Sequence, residues 1–92
     1  MNSLGGGGMK HSILEVQTRA VKAFIEGGFV CIQFEDGREI RFPASKNRRL
    51  RQATPDQLAK IELICNGTGL HWPDLDEDLS VLGILEGRLG PA

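Results

Sequence analysis

The sequence predicts a small α+β domain, with one antiparallel β-sheet of about four or five strands and two short helices. Three observations support this fold class. Apolar and polar residues alternate with a period of two through much of residues 13–34, which is typical of strands. The pair Asp36-Gly37 lies between two such runs and predicts a hairpin. The run Thr54–Gln57 has the residue types that begin a helix.

Length and composition limit the classes of protein to consider. The chain has 92 residues, which is the size of one domain. Its 11 Lys and Arg residues nearly balance its 12 Asp and Glu residues, for a net charge of -1, whereas dedicated nucleic-acid binders usually carry a basic excess. No apolar run approaches the roughly 20 residues of a membrane-spanning helix. Two cysteines do not make a disulfide framework, so we expect a cytoplasmic protein with reduced thiols.

The first eight residues differ in composition from the rest of the chain. They include four consecutive glycines and precede a second methionine, Met9. Glycines bury no side chain and lose much backbone entropy on folding. We interpret residues 1–8 as a flexible leader or a cloning remnant, or alternatively as a natural disordered terminus. We place a single α+β domain at residues 9–89.

The strand pattern begins at Ile13–Thr18, where Leu14 and Val16 share one face. The alternation continues to residue 26, as one bent strand or as two. Gly27-Gly28 then marks a turn. Phe29–Phe34 has apolar residues on both faces, which predicts a central strand.

The Asp36-Gly37 pair predicts a two-residue type I′ turn, because both of its central residues need positive φ angles. The following strand places Ile40 and Phe42 toward the core and its charged residues toward water. Pro43 ends this strand because it has no N–H group to donate.

The segment 44–52 is a polar, basic loop in which only Leu50 is expected to be buried. A short helix then begins at about Pro55, with Thr54 as its cap and Gln57 at the capping-box position. The helix extends to residue 65, or it ends near residue 61 and residues 62–65 begin a strand. The turn signal Asn66-Gly67 favours the second alternative.

The last part of the domain contains a short strand, Gly69–Trp72, which Pro73 terminates. The apolar run at residues 78–85 is expected to form a short C-terminal helix or a turn that packs over the sheet.

An acidic group follows Pro73 and consists of Asp74, Asp76, Glu77 and Asp78. Three aspartates at alternate positions resemble the start of a calcium-binding loop. The sixth position of that loop should be Gly and the twelfth a carboxylate, but both are Leu here, at Leu79 and Leu85. We therefore expect no metal ion and no other cofactor. The carboxylates are expected to favour the start of a short helix electrostatically.

His71 and Trp72 point to opposite faces if they lie on a strand. We interpret Trp72 as an anchor of the core or of an interface, because aromatic side chains often have these roles. His71 titrates near neutral pH and could act as a general acid or base. No partner nucleophile lies at a recognisable spacing, so a structural role for His71 is favoured.

A basic group precedes the predicted helix and consists of Lys46, Arg48, Arg49 and Arg51. Its side chains could contact phosphates, remain solvated, or pair with the acidic group of the same or a second subunit. Because four basic residues match four acidic ones in number, we hypothesise a self-complementary homodimer. Exposed pairs would contribute only about 0–1 kcal/mol each but would set its orientation.

Three segments of the chain form a distinctive combination: Phe34–Gly37, Leu50–Gln57 and Gly69–Val81, the last with a Gly-x-His-Trp-Pro run that leads into Asp-Glu-Asp. Together they resemble the bacterial family known as domain of unknown function 2442. The resemblance implies a small α+β fold with an antiparallel sheet, and it transfers no catalytic residue. Some members carry a helix-turn-helix after this domain or look like partners in toxin–antitoxin gene pairs; we expect no such added module here. The sequence departs from related chains at Asn47–Arg49 and at Ile61.

Three functions follow as hypotheses. The first is a non-enzymatic protein-interaction module, expected to be a homodimer, that binds through the Trp72 region and its charged flanks. The second is a nucleic-acid-associated or antitoxin-like regulator that uses the basic loop at 46–51. The third is a small-ligand binder or enzyme that uses His71 with Asp74 or Asp76. The predicted binding residues are His71, Trp72, Asp74, Asp76, Glu77, Asp78, Lys46, Arg48, Arg49 and Arg51.

Overall fold

The computed structural model describes residues 19–92 of the chain. The predicted leader at residues 1–8 and the predicted strand Ile13–Thr18 lie outside the described residues. Among residues 19–92, no helix has the length and apolar composition that crossing a membrane requires.

The first sheet contains three antiparallel strands, β1 (Ala20–Glu26), β2 (Phe29–Phe34) and β3 (Glu39–Pro43). Their order in the sheet is β1-β2-β3, so β2 is the central strand, as its apolar composition predicted. The register aligns Val30 with both Ile25 and Phe42. The inner face of the sheet therefore carries the alternating aliphatic and aromatic residues that form the core.

Two different turns connect these strands. Gly27 and Gly28 both have positive φ angles, 58° and 83°, which is the conformation that a two-residue type I′ hairpin needs. At Asp36-Gly37, among the turn residues only Gly37 has a positive φ, 91°. The Phe34 N–H group donates to the Arg38 carbonyl at 2.9 Å, which closes a three-residue turn. The hairpin at Asp36-Gly37 is confirmed, but its predicted type I′ geometry is wrong, because the extra residue lets Gly37 alone take the left-handed conformation.

Two short helices follow the first sheet, after a 3₁₀ turn at Ala44–Lys46. Helix α1 (Arg48–Arg51) lies within the segment that the sequence predicted as a loop. Helix α2 (Pro55–Ala59) begins with the predicted capping box, in which Thr54 and Gln57 exchange hydrogen bonds. The helix is only five residues long, so the alternative in which a strand begins near residue 62 is the one observed.

The second sheet contains β4 (Glu62–Ile64), β5 (Gly69–Trp72) and β6 (Glu77–Ser80), in the antiparallel order β4-β5-β6. Helix α3 (Val81–Leu85) follows directly. The predicted α+β class is confirmed, but the six strands form two sheets of three rather than one sheet of four or five. Residues 77–80 form a strand and not the start of a helix, because inward and outward side chains alternate along them.

The two sheets share one hydrophobic core. Val30 and Ile32 from the first sheet and Leu70 and Trp72 from the second are fully buried in the same cluster. The turn between β4 and β5 closely approaches the start of β1. A Cβ atom added to Gly67 would lie 2.4 Å from the Ala20 carbonyl oxygen, so only glycine fits there.

Candidate functional site

Strands β5 and β6 divide their side chains between the two faces of the second sheet. Leu70, Trp72, Glu77 and Leu79 face the core, whereas His71 and Asp78 face outward. The prediction that His71 and Trp72 point to opposite faces is confirmed. The outer face therefore presents only part of the predicted binding set to solvent.

Trp72 is an anchor of the core. Its side chain is fully buried, and its indole N–H group donates to the Leu58 carbonyl oxygen of α2 at 3.1 Å. This bond ties the second sheet to α2. Because none of the indole reaches the surface, Trp72 cannot itself contact a partner in this conformation, and its predicted use as a binding residue does not fit the structure.

Glu77 belongs to a buried polar network rather than to the exposed acidic group. Its carboxyl oxygen accepts a hydrogen bond from the Asn47 side-chain amide at 2.7 Å. The same amide donates to the Leu89 carbonyl at 2.8 Å, and the Asn47 side-chain oxygen accepts from the Leu50 N–H group at 3.1 Å. Gly90 covers this network, since a Cβ atom there would lie 2.4 Å from the Asn47 amide nitrogen.

His71 and Asp78 form an ion pair on the outer face, through the His71 Nδ1 atom. The hydrogen bond that the His71 Nδ1–H group donates to Asp78 raises the pKa of His71 above its ordinary value of 6.5, and the negative charges of Asp78, Glu62 and Asp76 raise it further. Glu62 and Asp78 lie on either side of His71 in neighbouring strands. The structure thus pairs His71 with Asp78, not with Asp74 or Asp76 as the enzyme hypothesis proposed.

The remaining acidic residues lie in the turn between β5 and β6. Asp74 forms an ion pair with Lys60 at 3.1 Å, and Asp76 adopts a left-handed conformation with a φ of 51°. Within residues 19–92, no group of three or more His, Cys, Asp or Glu side chains is arranged to hold a metal ion.

The four residues of the basic group do not act as one site. Arg49 and Arg51 bind backbone carbonyl groups, whereas Lys46 and Arg48 lie at the surface. Arg49 donates to the backbone carbonyls of Leu75 and Asp76, at 3.1 and 2.9 Å, and so holds the acidic turn through its backbone and not its carboxylates. Arg51 donates to the carbonyls of Ser45 and Ala92, at 3.2 and 3.1 Å. Lys46 and Arg48 are exposed. The predicted pairing of basic and acidic side chains is therefore not the contact that forms within the chain.

A shallow groove of about 280 Å³ lies at one end of the outer face of the second sheet. Its lining is mainly apolar and comes from β4, β5, β6 and the turn between the first two. The lining residues are Ile64, Cys65, Thr68, Gly69, Asp78, Leu79 and Ser80. Asp78 thus belongs both to the groove and to the ion pair with His71.

Sequence reasoning missed three residues of this region. Asn47 precedes α1 and could have been recognised as a helix cap, because Asn is a preferred residue at that position. Ser80 caps α3 by accepting the Gly83 N–H at 2.7 Å, a role that had been expected of the carboxylates before it. Gly69 lines the groove under the Ile64 side chain, and no local sequence signal indicates a groove.

Comparison with known proteins identifies relatives of this fold. The model of a family described as "Protein of unknown function (DUF2442)" matches residues 20–90. A crystal structure of a protein of unknown function from Rhodospirillum rubrum ATCC 11170 is 37% identical with a TM-score of 0.74, and the match covers 79% of this chain and 90% of that chain. No curated protein matches the chain.

A second solved structure resembles the chain over its whole length. It is the solution NMR structure of an uncharacterized protein from Chromobacterium violaceum, with 25% identity and a TM-score of 0.73, covering 100% of this chain and 91% of that chain. The family match extends from the first residue of β1 to Gly90, the residue that covers the Asn47–Glu77 network. The chain therefore belongs to the DUF2442 family of proteins of unknown function.

Proposed function

We propose that this protein is a non-enzymatic interaction module of the cytoplasm, which binds a segment of a partner protein on the outer face of its second sheet. The observation that carries the proposal is the open, mainly apolar groove, which Asp78 lines and which shares its face of the sheet with Glu62. Two free cysteines, Cys31 and Cys65, support a reducing compartment.

The shape of the groove favours one apolar side chain of a partner. Gly69 lies at one end of the outer face, between Ile64 and Ser80 on the flanking strands. A Cβ atom at Gly69 would lie 3.0 Å from Ile64 Cγ1, so the Ile64 side chain packs over Gly69 and supplies apolar lining to the groove. Recognition sites of extended peptides often combine such a pocket with a polar rim.

The charge around the groove favours a basic partner segment. Glu62, Asp76 and Asp78 all lie close enough to His71 to raise its pKa, and protonated His71 compensates only one of these three charges. We therefore propose a partner segment with an apolar residue for the groove and a Lys or Arg residue for the carboxylates. Such rim charges would contribute orientation and association rate more than affinity.

The hydroxyl and imidazole groups of this face support binding rather than nucleophilic catalysis. The Ser80 oxygen is occupied as the acceptor of the Gly83 N–H group. The Nδ1 atom of His71 is paired with Asp78, whose side chain is 66% exposed. A nucleophile activated by a base needs the two groups in direct hydrogen-bond contact, and these residues instead stabilise the fold.

Selection from a random peptide display library tests the proposal, with the full-length chain as bait. The wild type should enrich peptides that combine an apolar residue with Lys or Arg. Asp78→Lys, which reverses a charge of the groove, should weaken binding of the selected peptides at least about ten-fold in fluorescence polarisation. Asp56→Lys on α2 carries the same charge change away from the groove and should bind like the wild type.

Two outcomes would count against the proposed function. One is a selection with no enriched peptides. The other is a set of peptides that bind the wild type, Asp78→Lys and Asp56→Lys equally well, because the binding surface would then lie elsewhere.

A further inference from the structure

The outer face of the first sheet is a second surface, distinct from the groove. The register of the strands places nine side chains on this face in three rows across the sheet. The first row is Lys22, Gln33 and Glu39; the second is Phe24, Cys31 and Arg41; the third is Glu26, Phe29 and Pro43. We call this surface the grid face.

The grid face combines aromatic rings with charges of both signs. Phe29 is 37% exposed and Phe24 is half-buried, and neither belongs to the core cluster. The Lys22 ammonium lies 5.2 Å from the Phe24 ring centre, and the Arg41 guanidinium lies 5.8 Å from that of Phe29. Long cationic side chains cover these rings only in part, so apolar area remains exposed to water.

The acidic residues of the grid face pair with one of its two cations, Arg41. Arg41 forms ion pairs with Glu26 and with Glu39, both at 3.2 Å, and Gln33 donates to Glu39 at 2.9 Å. The face therefore carries two basic and two acidic side chains in an ordered arrangement. A surface with equal numbers of both charges can complement a copy of itself if a two-fold axis exchanges them.

We propose that the grid face is the contact surface between two copies of this chain. Two copies pack face to face around a two-fold axis that runs parallel to β2. Such an axis brings β1 of one copy opposite β3 of the partner. Lys22 then faces the partner's Glu39, and Phe24 faces the partner's Arg41.

The symmetry repeats each contact, so two ion pairs and two cation–aromatic contacts form. Along the axis itself Phe29 faces the partner's Phe29. Sheets that pack in this aligned manner are common in β-sandwiches. The arrangement covers the exposed rings. In the first row, each charged side chain faces a side chain of opposite charge on the partner.

The size of the face predicts a weak dimer. Three strands about 4.8 Å apart and about 20 Å long present a projected area of roughly 300 Å² per copy. Stable interfaces bury about 800 Å² per partner, so this contact belongs to the weak class. We therefore expect a weak association that is observed only at high protein concentration. The groove lies on the other sheet, so peptide binding and self-association can be lost independently.

Charge reversal and sedimentation equilibrium test the dimer on the full-length chain. Lys22→Glu places Glu opposite the partner's Glu39, and Glu39→Lys places Lys opposite the partner's Lys22. Each variant alone should associate at least about ten-fold more weakly than the wild type. An equimolar mixture of the two should recover the dimer, because Glu at position 22 of one copy then meets Lys at position 39 of the other.

The control variant Asp56→Lys should associate like the wild type, and circular dichroism should show that all variants are folded. A wild-type chain that stays monomeric up to about 0.5 mM overturns the proposal. The grid face would then be a contact surface for residues 1–18 or for a different protein. A wild-type dimer that both charge reversals leave unchanged also overturns it, because the contact then uses another surface.

Discussion

At the scale of single residues, the ion pair of His71 and Asp78 is the feature of the outer face that responds to pH. His71 projects from β5 and Asp78 from the neighbouring strand β6. Their side chains are 28% and 66% exposed, so solvent screens the pair but does not remove its effect. The pair also fixes one wall of the groove, since Asp78 lines it.

The raised pKa of His71 predicts how the stability of the protein depends on pH. Because the folded chain binds the His71 proton more tightly than the unfolded chain, whose histidine titrates near 6.5, protonation stabilises the fold. This contribution is complete below about pH 6.5 and is lost as the pH rises through the raised pKa. The free energy of unfolding of the wild type should therefore fall across that range relative to His71→Gln. Urea unfolding at a series of pH values, followed by Trp72 fluorescence, measures the difference.

Asp78→Asn supplies the control for this prediction. Removing the negative charge of Asp78 should lower the pKa of His71 toward 6.5, which a titration of the imidazole protons by NMR can follow. Parallel pH profiles for the wild type and His71→Gln would contradict the prediction.

At the scale of secondary-structure elements, the three helices depend on their caps. They contain four, five and five residues, too few for a helix that is stable in isolation. Each begins with a polar side chain that accepts a backbone N–H group: Asn47, Thr54 and Ser80. The caps differ in burial, however, since Asn47 is fully buried and Thr54 is exposed.

This difference predicts unequal costs for the same type of substitution. Thr54→Ala removes one exposed cap and should cost about 1 kcal/mol of the free energy of unfolding. Asn47→Ala also leaves the buried Glu77 carboxyl and the Leu89 carbonyl without their donor, which adds about 1–3 kcal/mol. Asn47→Ala should therefore cost about 2–4 kcal/mol in urea unfolding. Equal losses would show that the Asn47 network contributes no more than a simple helix cap.

The sequence allowed some of these elements to be predicted and not others. The capping box at Thr54 and Gln57 has a strong local signal, and the helix begins where that signal places it. The strand β6 was missed because Glu77 and Asp78 are poor strand residues, although the inward and outward alternation is present. The contact between Asn47 and Glu77 joins residues 30 positions apart, and no local pattern in one sequence indicates such a pair.

At the scale of the whole molecule, the α+β class followed from strand alternation together with the hairpin and helix-start signals. The central position of β2 followed from its apolar residues on both faces. The division into two sheets could not be predicted in this way, because it depends on the helices between β3 and β4.

The candidate site was predicted only in part. The outward position of His71 follows from strand alternation, but the groove depends on how Ile64 packs over Gly69 of the neighbouring strand.

The shared core indicates that the two sheets do not unfold separately. Ile32 of the first sheet and Leu70 of the second are both fully buried in one cluster. Trp72 adds a direct bond from β5 to Leu58 of α2, and Leu58 itself packs against that cluster. A local opening of the second sheet would expose apolar surface of the first, which favours a single cooperative transition.

Trp72→Phe tests this coupling. The substitution leaves the Leu58 carbonyl without its donor and removes part of a fully buried ring, which should cost about 1–3 kcal/mol. If the sheets unfold together, hydrogen exchange of the most protected amides in β2 and in β5 should report the same loss. Val21→Ala, at a position 55% exposed, should leave both sets of amides unchanged. A loss confined to the amides of β4, β5 and β6 would instead mean that the second sheet opens while the first remains folded.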